Sequence, residues 1–86
     1  MEIRDGQIVS FGDSHMLVSI ELGTGDIDLK FIDGPKFDTN VKYSIIDQQI
    51  LIGRMPECTI KFDDNSLSRY QCCLSYQNSW LLEDGY

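Results

Sequence analysis

The chain has 86 residues, 42% of them hydrophobic and 10% aromatic, and sets seven Lys and Arg against 14 Asp and Glu for a formal charge of −7. That is one domain at most, with a globular composition and a modest core. Such acidity excludes the broad basic surface that grips nucleic acid, and no apolar run is long enough for a membrane span. Glu2, Arg4, Asp5 and Asp13 stand where a signal peptide would be apolar, so no membrane or nucleic-acid partner and an intracellular location (cytoplasm or nucleus) are expected.

The opening stretch "MEIRDGQIVSFG" reads as a hairpin arm or a frayed end. Met16, Val18, Ile20 and Leu22 then alternate with polar residues, the period of a strand with one buried face. "GTGD" follows as a hairpin turn; it lacks the Gly-Lys-Ser/Thr of a phosphate loop. The same alternation recurs at Ile27, Leu29 and Phe31, at Val41, Tyr43 and Ile45, and at Cys58, Ile60 and Phe62. Ile50 to Ile52 and Trp80 to Leu82 are short apolar runs suited to inner strands, and Trp80 and Phe31 are core candidates. After the "DDNS" turn, alternation sends Cys72 and Leu74 to the core and Gln71 and Cys73 away from it. Clusters of Gly, Pro, Asn, Asp and Ser punctuate the runs, and no window has helical periodicity, so an all-β sandwich or barrel is expected.

The residue types for catalysis or metal binding do not assemble. His15, the single histidine, has no partner motif for acid–base work and reads as a solvated turn residue. Cys58, Cys72 and Cys73 are odd in number and have no second Cys or His cluster, so they read as reduced packing residues with neither disulfide nor metal. Asp63, Asp64 and Asn65 lack the spacing of a calcium loop. Neither an enzyme nor a cofactor is expected. Of the three arginines, Arg4, Arg54 and Arg69, the last two lie in or near the "DNSLSRYQCC" stretch, and arginine is the side chain that forks onto phosphate oxygens.

The stretch "IGRMPECTIKFDDNSLSRYQCCLSYQNSWLLEDG" resembles the middle of a forkhead-associated (FHA) domain. The resemblance is carried by Gly53-Arg54, Cys58 and Ile60, Asp63 and Asp64, Ser68, Cys72 and Leu74, Trp80 and Leu82, and Asp84-Gly85. With the upstream "LKFIDGPKFDTNVKYSIIDQQILIGR", it covers roughly residues 27–86, leaving residues 1–26 as an N-terminal extension of strands or a hairpin packed on the domain. It implies an antiparallel β-sandwich of the FHA/SMAD type whose end loops bind a phosphothreonine peptide, without metal or catalysis. Arg54, Ser68 and Arg69 would take the phosphate, and Gln71, where the family usually has a histidine, would brace the loop. The family continues into an Asn-Gly-Thr loop and further strands, so a C-terminally incomplete sandwich is expected, with unpaired strand edges open to self-association. The alternative is a degenerate FHA-like scaffold that binds partners through sheet edges without phosphate.

Overall fold

The computed structural model describes residues 1–47 and 49–84; Gly85 of the Asp-Gly pair lies outside them. The strands are β1 (Ile8–Phe11), β2 (Ser14–Ile20), β3 (Ile27–Asp33), β4 (Asn40–Tyr43), β5 (Ile50–Gly53), β6 (Ile60–Lys61), β7 (Tyr70–Tyr76) and β8 (Trp80–Asp84), with no helix among the described residues. They form two four-stranded sheets, ordered β1-β2-β3-β4 and β6-β5-β7-β8. Every neighbouring pair is antiparallel except β5 with β6. The all-β sandwich expected from alternation is therefore the architecture found.

The facing surfaces of the two sheets make one core. Met16, Val18, Ile27, Leu29 and Phe31 from the first sheet are fully buried against Ile50, Ile52, Leu74 and Trp80 from the second. At one end Phe11, Phe31 and Phe62 meet edge to face, with centroids 5.6–6.5 Å apart, the arrangement favoured by the aromatic quadrupole.

Residues near the amino terminus belong to this same core. Phe11, Met16 and Val18 come from the β1–β2 hairpin, and Ile3 is buried beside them. Residues 1–3 run along the outer side of β8: the Ile3 amide donates to the Trp80 carbonyl at 2.9 Å, and the Leu82 amide donates to the Met1 carbonyl at 2.7 Å. Thus β8 is the end strand of its sheet, not an inner one, and its open edge is partly satisfied by the chain's own backbone.

Three more expectations need correction. Leu22 is 98% exposed and Ile45 is also exposed, because hydrogen-bonded turns end β2 at Ile20 and β4 at Tyr43. The Gly25 amide donates to the Glu21 carbonyl, and the Ser44 amide to Asp47 Oδ2, and these turns take both residues out of the pleat. Cys73 lies outside the core cluster, yet it is only 4% exposed, since Leu51 and Glu83 flank it on the outer face. The three thiols are free and buried, and burial, with Asp84 and Cys73 adding, pushes Cys72 up to about 12.

Ile3, Phe11, Met16 and Val18 together carry burial energy, at about 1.5–3 kcal/mol each, comparable with the whole stability of a small domain. Deleting residues 1–20 is therefore expected to abolish cooperative thermal unfolding followed by circular dichroism. A truncated chain that melts as sharply as the parent would contradict the shared core.

Candidate functional site

The strand β5 ends at Gly53 against the start of β7, and the approach is closer than any side chain allows. A Cβ on Gly53 would lie 2.2 Å from the Arg69 carbonyl oxygen. That oxygen accepts the Arg54 amide at 3.0 Å and the Met55 amide at 3.4 Å, and Cys58 Sγ donates to it at 3.7 Å. One carbonyl thus ties the β5–β6 turn to the mouth of β7.

The arginine after Gly53 is held by the same loop. Arg54 Nε donates to the Leu67 carbonyl at 2.7 Å in a partly buried setting. That bond fixes the guanidinium at the backbone of the residue before Ser68, while its terminal nitrogens have no hydrogen bond or ion pair among the described residues. The Ser68 hydroxyl is exposed and makes no hydrogen bond among the described residues, and Arg69 is exposed without an ion pair there. Two bonds thus hold Arg54 against the 67–69 backbone that carries Ser68 and Arg69.

Gln71 sits in a bulge. Ile52 pairs with Cys72 and Gly53 with Tyr70, so Gln71 is the extra residue on β7, and its Oε1 accepts the Ser68 amide at 3.1 Å. The preceding turn closes on itself: Asp64 Oδ1 accepts the Ser66 amide at 2.9 Å, a bond that holds this carboxyl below its usual range. Asp63 pairs with Lys61 at 3.1 Å. Neither carboxylate forms an ion pair with Arg54 or Arg69.

Other elements press on this site. Gly12, at φ 57°, turns the β1–β2 hairpin where a Cβ would lie 2.8 Å from Leu67 Cδ2, so the hairpin packs directly beneath the loop that anchors Arg54. Tyr70 donates its hydroxyl to Glu57, which holds the phenol above its ordinary value, while the Arg69 charge acts in the opposite direction. Alternation gave no sign of the Glu57–Tyr70 contact or the bonds to the Arg69 carbonyl; Gly53 before Arg54 was the one available signal of a close backbone approach. His15 does not join this group; its Nδ1 lies 2.7 Å from Asp33 Oδ1.

Residues 50–86 match the family model described as FHA domain, a segment that contains Arg54, Ser68, Arg69 and Gln71. No curated protein and no solved structure gives a significant match. The family match supports the resemblance read from Gly53-Arg54 onward, and FHA domains in general are phosphopeptide-binding interaction modules, not enzymes. No helix among the described residues is long and apolar enough to cross a membrane.

A methyl group at Gly53 must push β5 away from the Arg69 backbone. Gly53→Ala is expected to cost about 1–3 kcal/mol in chemical denaturation, the usual penalty for overpacking, and to lower the hydrogen-exchange protection of the Arg54 amide. Unchanged stability and protection would mean that the close approach is not required.

Proposed function

We propose that the chain is a phosphothreonine-dependent peptide-binding module of intracellular signalling, in which Arg54, Ser68 and Arg69 take the phosphate and Gln71 braces the loop. One observation carries this reading. In a chain with 14 acidic residues, Arg54 is bonded to the backbone that carries Ser68 and Arg69, and the Arg54 terminal nitrogens, the Ser68 hydroxyl and the Arg69 guanidinium have no partner among the described residues. A phosphorylated side chain brings a charge of about −1.5 to −2 and three acceptor oxygens. Each charge-assisted bond it accepts contributes about 1.5–3 kcal/mol net.

The protein's work in this reading is positioning. The Leu67 carbonyl aims the Arg54 fork, and the Gln71 amide oxygen fixes the backbone of Ser68. Arg69, further out, adds charge more than geometry. The surrounding acidity disfavours nucleic acid while these arginines attract phosphate.

A second reading is kept because β1 and β4 end the first sheet without a further strand among the described residues. A scaffold that pairs with partners, or with itself, through these edges would need no phosphate.

Titration of a phosphothreonine peptide library and its unphosphorylated twin separates the two. Phosphate-dependent affinity is expected, with Arg54→Ala costing about 2–5 kcal/mol of binding. Arg54→Lys should also weaken binding, since lysine keeps the charge but loses both the fork and the Nε bond. Ser68→Ala should weaken it with the fold intact, and Arg69→Ala should cost less than Arg54→Ala. Equal affinity for both peptide sets would overturn the phosphate reading and favour the edge scaffold.

A further inference from the structure

A groove of about 530 Å³ opens at the pole of the sandwich opposite Arg54. The seven residues of β7 run from one pole to the other, from Tyr70 beside Arg69 to Tyr76 in the groove wall, a separation of about 20 Å at strand rise. Its chemistry is the reverse of the arginine rim. The inner wall is apolar: Ile3, Ile20, Tyr76 and Trp80 line it, with the last two rings edge to face at 5.4 Å. Trp80 Nε1 donates to the Gly25 carbonyl at 2.8 Å, which fixes the indole in place.

The lip is acidic. Glu2, Asp5 and Glu21 line it with Arg4, and Lys42 reaches Glu21 from outside the lining. Each carboxylate keeps acceptor capacity: among the described residues Asp5 accepts only the Ile20 amide, Glu2 has a 3.8 Å contact with the exposed Arg4, and Glu21 is held by Thr24 and Lys42 at 3.1 and 3.3 Å. Beside the groove Leu22 stands in solvent, and Ile45 touches Gly25 with the 82% exposed Ile46 next to it. Such apolar side chains gathered at one pole mark an interaction surface more than isolated ones do.

We propose that this groove docks a basic segment of a partner protein, taking the side chain of an arginine or lysine flanked by apolar residues. An apolar wall ending in carboxylates fits a side chain with an aliphatic stem and a cationic head, and the partner's apolar neighbours cover Leu22 and Ile46. Charge favours this occupant: the lip attracts a basic segment, whereas a second copy brings a net −7 and meets the lip favourably only through its own arginine rim. This surface is independent of phosphate and is able to act while the arginine rim is occupied.

Trp80 is the chain's single tryptophan, so its fluorescence reports the groove. The 86-residue chain is titrated with acetyl-Gly-Leu-Arg-Leu-Gly-amide and with a twin carrying Glu in place of Arg. The arginine peptide is expected to shift Trp80 emission saturably and the glutamate twin to leave it unmoved. Glu21→Lys should weaken binding about tenfold, and Leu22→Ser, at a site too exposed to affect folding, should weaken it several-fold. No saturable shift, equal response to both peptides, or full affinity in Glu21→Lys would overturn the proposal. So would sedimentation showing a dimer that Leu22→Ser dissolves, which would assign the groove to a second copy.

Discussion

The Arg69 carbonyl oxygen is the point on which the candidate site hangs. It takes two backbone amides and a thiol from the β5–β6 turn, and it does so only because residue 53 has no side chain. From this contact the rest follows geometrically. Arg54 leaves β5 already pinned at its backbone, and its Nε reaches the Leu67 carbonyl, one residue before Ser68. The arrangement is preorganised, so little ordering of the loop is left for a ligand to induce.

That contact is supported from below by packing that spans both sheets. Phe11, Phe31 and Phe62 interlock at this pole, and the Gly12 turn of the first hairpin sits against Leu67. The N-terminal strands therefore supply core and also the floor beneath the loop that holds Arg54. At the far pole the polarity inverts, with carboxylates framing an apolar groove. The two ends of one small sandwich thus offer opposite charge, a division that the net −7 conceals.

Much of the fold was legible because period-2 patterning is strictly local. Ile27, Leu29 and Phe31 were read as one face and are all fully buried. The reading ran too far at Leu22 and Ile45, where turn hydrogen bonds outcompeted strand pairing for residues whose apolar side chains continued the pattern. Alternation gave the face of Cys73 but not its burial, which depends on Leu51 and Glu83 from neighbouring strands. Contacts between distant positions left no periodic trace. The pairing of residues 1–3 with β8, the bulge at Gln71 and the Arg54–Leu67 bond are properties of the assembled sheets. Of the candidate site, the residues were visible through Gly53-Arg54 and Ser68-Arg69, while the carbonyl that ties the β5–β6 turn to β7 was not.

The central claim is that Arg54 and Ser68 act as one phosphate-binding unit because the 67–69 backbone holds them side by side. A double-mutant cycle measures this directly, with affinity for one phosphothreonine peptide determined by calorimetry for the parent, Arg54→Ala, Ser68→Ala and the double variant. Groups sharing one phosphate should be coupled by about 0.5–3 kcal/mol, so the double variant should lose less than the sum of the single losses. Strict additivity would contradict the account, since it would mean that the two side chains do not meet on a common ligand.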